Sequence, residues 1–200
     1  MLFYVPRGYM DRHGGDGGWR YPVLVNFHGV GFTIGKARDD ARWASAVVES
    51  TDAVVVCVDY RLAPEHPFPT AVEDGVDAIL YLLQNSEELR IDADRIGVSG
   101  FSAGGNIAFT VPMRLQDELR RQRHSHNEGQ LPRDTPMREG KVVVIVSWYP
   151  ITGFATNTRH ERRKTNIRPD TELSAFFTDL FDACYLYPSC DRADIQASMH

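Results

Sequence analysis

The chain of 200 residues is 42% hydrophobic and 24% charged, with a formal net charge of −5, the composition of one globular domain with a real core and not of a disordered or fibrous protein. The acidic balance argues against a nucleic-acid partner, which selects a basic face, and no apolar run approaches the length of a membrane span. The N-terminus, MLFYVPRGYM, lacks the basic start, long apolar core and small-residue cleavage site of a signal peptide, which points to a cytoplasmic protein.

In chain order, the first apolar run is LFYV (2–5), followed by the flexible loop GGDGG at Gly14 to Gly18. PVLVNF (22–27) reads as the second strand. DDARWASAVVES (39–50) spaces Trp43, Ala46, Val47 and Ser50 at helical intervals behind an acidic first turn. AVVVCV (53–58) is the third strand. The stretch 70–89 reads as a helix, with Thr70 and Glu73 spaced as a capping box. RIGVS (95–99) is the fourth strand, and the residues after Ser102 continue as a helix through Gln122, with Pro112 expected to kink it. Residues 122–140 are polar and rich in turn formers, so they read as a surface excursion. His124 and His126 fall in it as solvated residues, since no carboxylate or cysteine cluster accompanies them. KVVVIVS (141–147) closes the series. The last four runs are rich in Val and Ile and nearly continuous, as in strands buried on both faces of a parallel sheet. Strands alternating with helices predict a single α/β domain over 1–200 with a mostly parallel central sheet flanked by helices. The cysteines are Cys57, Cys184 and Cys190; an odd count reads as structural rather than as a disulfide framework.

The most informative stretch is GVSGFSAGGN (97–106). A serine with glycine two residues before and two after, between a buried strand and a helix, is the context of a nucleophile elbow. The chain reverses so sharply that the serine takes a strained conformation. A Cβ at Gly100 or Gly104 would collide with the neighbouring helix or strand. The turn lifts the Ser102 hydroxyl clear and aims the Ala103 amide at an oxyanion formed on attack. The second strand meanwhile runs into NFHGVGF, with His28, Gly29, Val30, Gly31 and Phe32 at the carboxyl edge where open α/β sheets bind ligands. The amides of Gly29 and Val30 are placed to join that of Ala103 as an oxyanion hole. His28 reads as a support that orders the loop through a backbone hydrogen bond.

HGVGF, then DYRLAPEHPFPTAVEDG (59–75), then GFSAGGN together resemble the hormone-sensitive lipase branch of the α/β-hydrolase fold. The resemblance runs over most of residues 2 to 190. It implies a serine carboxylic-ester hydrolase acting on short-to-medium acyl esters of small molecules, without metal or cofactor. Similar proteins in fungi are often built into natural-product pathways. Position by position, it implies Ser102 as nucleophile, Gly29, Val30 and Ala103 as oxyanion donors, and Asp59, Arg61, Glu65 and His66 as a charged loop beneath the site that pairs its own charges. WYPITGF (148–154) and AFFTDLF (175–181) are candidate linings of an acyl pocket. Two departures stand out. The family usually has glycine where Val30 stands, and a β-branched residue resists positive φ: either the loop does not need that angle or the hole is imperfect. The resemblance also places the acid and histidine of the triad after further strands, beyond His200, and a cap and first strand before residue 2. Asp191 and Asp194 belong to a loop rather than to the acid's motif, and His200 has no strand to hold it. The expectation is therefore a serine hydrolase whose activity in this chain is impaired. The alternative is a non-catalytic ligand-binding member of the fold.

Overall fold

The structure is a computed structural model; it describes residues 1–11, 19–127, 140–152, 154 and 173–188. Among the described residues five strands form one sheet: β1 (Leu2–Tyr4), β2 (Tyr21–Phe27), β3 (Val54–Val58), β4 (Ile91–Phe101) and β5 (Val142–Trp148), in the spatial order β1-β3-β2-β4-β5. Among the described residues only the β1–β3 pair is antiparallel. The helices are α1 (Ala41–Thr51), entered through a 3-10 turn at Ala37–Asp40, α2 (Thr70–Gln84), α3 (Ala103–Asn127) and α4 (Ala175–Tyr185).

The valine-rich runs make the centre of the sheet. All five residues of β3 are buried, and so are Val23, Val25, Phe27, Ile96 and Val98 of its neighbours. Alternate residues feed two cores. The larger lies under α2 and α3, where Val76, Ile79, Leu82, Ile107 and Val111 meet Val25, Phe27 and Val54. The smaller lies under α1, where Ala44 and Val48 meet Val55 and Cys57. A buried polar chain crosses to this second face. Ser99 Oγ donates to Asn26 Oδ1 at 3.0 Å, and Asn26 Nδ2 donates to Asp40 Oδ2 at 2.8 Å.

Several elements depart from their expected form. β4 does not stop at Ser99 but runs to Phe101, because Gly100 and Phe101 still pair with β5. Residues 122–127 are not part of a surface excursion; they complete α3, which carries His124 and His126 in its last turn. α3 also passes through Pro112. Losing one backbone bond there costs about 3 kcal/mol. Burying a large apolar side chain contributes about 1.5–3 kcal/mol, and Ile107, Val111 and Leu115 are all buried against the sheet. The capping box is absent: Pro69, not Thr70, is the N-cap of α2, so Thr70 sits inside the helix and its side chain makes no cap bond. That helix ends at Gln84. β5, finally, is not buried on both faces. Among the described residues it is the sheet edge, with Val143 52%, Val144 47% and Ile145 39% exposed. The GGDGG loop, residues 128–139, Cys190, Asp191, Asp194 and His200 lie outside the described residues.

Candidate active site

The chain leaves β2 toward β3 on one side and leaves β4 toward β5 on the other. The loops after β2 and β4 therefore diverge, opening a crevice at the carboxyl ends of these two strands, which is where open α/β sheets place ligands. His28–Phe32 and Ser102 both stand there.

Ser102 is the turn residue between β4 and α3 and has φ +54°. Its own N–H donates to Trp148 O at 2.9 Å, and its carbonyl accepts from Asn106 N at 3.1 Å. The flanking glycines are required by close backbone approach. A Cβ on Gly100 would lie 2.2 Å from Gly104 O, and one on Gly104 would lie 2.0 Å from Phe27 O and 2.5 Å from His28 O. The elbow is thus pressed into the end of β2. Gly29 completes the contact: its Cβ would come 2.9 Å from Phe101 O and 3.6 Å from Ser102 Cβ. The first turn of α3 is tied to the exit of β5 as well. Ser147 Oγ donates to Gly105 O at 3.0 Å, and Asn106 Nδ2 donates to Ile151 O at 2.7 Å.

The loop after β2 carries three successive left-handed residues: Val30 (φ +70°), Gly31 (φ +65°) and Phe32 (φ +63°). The loop does take the angle that valine resists, at a cost on the order of 1–2 kcal/mol. The N–H groups of Gly29, Val30 and Ala103 make no backbone hydrogen bond among the described residues. Gly29 packs against the half-buried Ser102, and Ala103, the next residue in the chain, opens α3, where the helix dipole adds positive potential.

His28 is buried, with Nδ1 3.0 Å from Gly29 O. That contact fixes the proton on Nδ1 as donor. Burial pushes the imidazole below its ordinary pKa of 6.5, against the opposing effects of the Gly29 bond and of Asp40, Asp59 and Asp39. Asp59 Oδ1 accepts from Ala37 N at 2.6 Å, which ties the third strand to the turn before α1. Arg61 does not pair within its own loop: its guanidinium forks onto Asp74 of α2 at 2.7 and 3.0 Å. Neither motif predicts Tyr60, whose hydroxyl donates to His28 O at 2.9 Å, nor the contacts of Asn106 and Ser147. Asn106 belongs to the quoted GFSAGGN, but its partner lies 45 residues away.

α4 closes the other side of the β2 loop. Tyr185 stacks on Phe32 with centroids 3.7 Å apart and 8° between planes, and its carbonyl accepts from Phe68 N at 2.8 Å. Phe181 packs so closely that a Cβ on Gly31 would lie 2.2 Å from its ring. Phe176, Phe177 and Leu180 face outward. On the opposite flank, Phe101 stacks on Trp148 at 6.0 Å and meets Trp43 edge-on at 5.5 Å.

No histidine or carboxylate among the described residues hydrogen-bonds the Ser102 hydroxyl, and none of their His, Cys, Asp and Glu side chains form a group of three fit for a metal. A cavity of about 520 Å³ lies elsewhere, between residues 4–7 and the α1 side chains Ser45, Val48 and Glu49; it shares no residue with the crevice. No helix of the described residues is long and apolar enough to cross a membrane.

The sequence matches the family model described as alpha/beta hydrolase fold over residues 24–200. It is 44% identical over 113 residues to the AB hydrolase superfamily protein C1039.03 of Schizosaccharomyces pombe, covering 56% of this chain and 33% of that protein. It is 42% identical over 96 residues to Esterase LipI of Mycobacterium tuberculosis, covering 48% and 30%. Among solved structures, the hyperthermophilic esterase of the archaeon Pyrobaculum calidifontis superposes with a TM-score of 0.70 at 31% identity, over 90% of this chain and 53% of that one. EstE1, a thermostable carboxylesterase from a metagenomic library, gives 0.66 at 32% identity, over 90% and 55%. The chain thus spans about a third of the length of these curated relatives and about half of these solved structures. It belongs to the α/β-hydrolase fold, in the carboxylesterase-like, hormone-sensitive lipase family of serine hydrolases.

Proposed function

We propose that Ser102 is the nucleophile of a carboxylic-ester hydrolase and that the amides of Gly29, Val30 and Ala103 bind the oxyanion. The Ser102 oxygen attacks the ester carbonyl carbon, whose oxygen takes up negative charge among the three N–H groups. The bond to the alkoxy group then breaks, the alcohol leaves with the serine proton, and an acyl-serine remains. Water repeats the sequence, releasing the acid and restoring the hydroxyl. The observation that carries this reading is the left-handed Ser102 at the β4–α3 turn, with Gly29 packed against it. Losing one oxyanion donor in a hydrolase of this kind costs about 2.7–4 kcal/mol of transition-state stabilisation.

The substrates we infer are small esters of apolar acids, because aromatic side chains flank the crevice: Phe181 of α4 beside the β2 loop, and Phe101 and Trp148 at the ends of β4 and β5. A serine without a general base is a weak nucleophile. With none bonded to Ser102 among the described residues, this chain alone is expected to work near the residual level, roughly 10³–10⁴-fold over water, that oxyanion binding sustains. Mass spectrometry after incubation with p-nitrophenyl acetate, beside Ser102→Ala, tests the assignment: an acetyl group on Ser102 supports it, and equal acetylation of the variant would remove it.

That no base is bonded to Ser102 among the described residues also favours a second reading, a ligand-binding protein that keeps the crevice without turnover. A fluorophosphonate probe separates the two. Covalent labelling confined to Ser102 supports the hydrolase, whereas saturable binding of an ester analogue without labelling supports the binding protein.

A further inference from the structure

We propose that Tyr60 is the positioning residue of the β2 loop: its hydroxyl holds the His28–Gly29 peptide so that the Gly29 and Val30 amides face Ser102. The proposal rests on the reading of those amides as oxyanion donors.

The loop is under strain and needs an anchor. Three consecutive residues, Val30 to Phe32, sit at φ near +65°, and one of them is β-branched. Left-handed backbone persists only where its surroundings over-determine it. Among the described residues the bonds that reach the loop from outside are few. Ala63 N donates to Phe32 O at 3.0 Å and secures its far end. Tyr60 secures the near end. It is buried, and its hydroxyl lies 2.9 Å from His28 O and 3.4 Å from both Gly29 O and His28 Nδ1. A phenol has one proton to give, and the shortest contact takes it. With the His28 proton engaged on Gly29 O, the hydroxyl lone pairs face that N–H. The His28 ring lies parallel on the Tyr60 ring, 4.3 Å apart at 13°. One side chain therefore fixes a carbonyl and a ring immediately before the Gly29 and Val30 amides. Phenylalanine at this position keeps the stacking and loses only the hydroxyl.

The test compares Tyr60→Phe with the parent chain, and with Tyr81→Phe on the exposed face of α2 as control. The first measurement is amide hydrogen exchange. Thr33 and Ile34 both donate to Val30 O, so their amides report the loop. We expect Tyr60→Phe to speed their exchange tenfold or more, while amides in β3 keep the parent rates. Unchanged exchange at Thr33 and Ile34 overturns the proposal. The second measurement is the rate of fluorophosphonate labelling at Ser102, which depends on the oxyanion donors. We expect about a tenfold loss in Tyr60→Phe with little change in affinity for a neutral, unreactive ester analogue. A loosened loop with unchanged labelling also overturns the proposal, because the anchor would then be structural only. If the parent chain itself resists labelling, the hydrolase reading fails, and the exchange data still decide whether Tyr60 holds the loop.

Discussion

β3 and the crevice at the ends of β2 and β4 lie side by side and obey opposite rules. β3 is VVVCV, every residue buried, with each side chain filling a core in an unstrained extended backbone. The crevice gains its shape from side chains that are missing and from backbone that is bent. Val30, Phe32, Ser102 and Tyr149, four of the non-glycine residues with positive φ, all follow the carboxyl ends of β2, β4 and β5. Gly29, Gly100 and Gly104 let three peptide segments touch. Strain of this kind collects where a fold positions a reacting group. The crevice should therefore be broken by added side-chain atoms, and β3 by removed ones.

The largest effect is expected at Gly104. An added methyl meets the Phe27 and His28 carbonyls at 2.0 and 2.5 Å, and backbone oxygen cannot swing away. Gly104→Ala should cost about 3 kcal/mol or more, whereas Val56→Ala, which removes two methyls from the centre of β3, should cost about 2 kcal/mol. Urea unfolding of both variants checks the ranking; a smaller loss at Gly104 would break the contrast.

The next effect is a pH dependence. Burial holds His28 below 6.5 in the folded protein, while the unfolded chain takes up its proton at that ordinary value. The unfolded state therefore binds more protons below about pH 6.5, so stability from this group is constant above that pH and falls as the pH drops through it. The slope is at most about 1.4 kcal/mol per unit. Asp40, whose carboxyl burial pushes above its usual 3.8, works in the opposite sense at lower pH, so unfolding is best followed between pH 7 and 5.5. A His28→Asn variant should lose the slope; an unchanged slope would assign it to another group.

The smallest effect has the opposite sign. Val30→Gly removes a left-handed β-branched residue that is half exposed and packs little. Relief of about 1–2 kcal/mol of strain exceeds the 0.4–1 kcal/mol of extra unfolded-state entropy that glycine brings, on the order of values for such exchanges. A net gain of about 0.5–1 kcal/mol is expected in thermal unfolding. A loss would mean that Val30 packs against something the crevice needs.

The parallel sheet and the elbow are legible in the sequence because both rest on local residue chemistry: runs of valine make the strands, and glycine spacing makes the turn. What reached beyond local chemistry was not legible. Tyr60 acts on a carbonyl 32 residues away, and nothing in DYRLAPEH distinguishes its hydroxyl from an ordinary buried tyrosine. The end of β4 depends on pairing with β5, so RIGVS alone stops it too early. α3 outlasts Pro112 because tertiary burial outweighs the local penalty. The choice left open at Val30 turns on a backbone angle, and only coordinates supply it. KVVVIVS reads as a strand buried on both faces, yet its place at the sheet edge leaves it open.

The oxyanion hole as proposed places the oxygen of a carbonyl group attacked by Ser102 Oγ among the Gly29, Val30 and Ala103 amides. A crystal structure of the chain phosphonylated by a fluorophosphonate tests it most directly. Phosphorus should be bonded to Ser102 Oγ, with one phosphonyl oxygen within ordinary hydrogen-bond reach, about 2.7–3.2 Å, of those three nitrogens. An adduct on another residue, or one whose oxygens point away from the β2 loop, would contradict it.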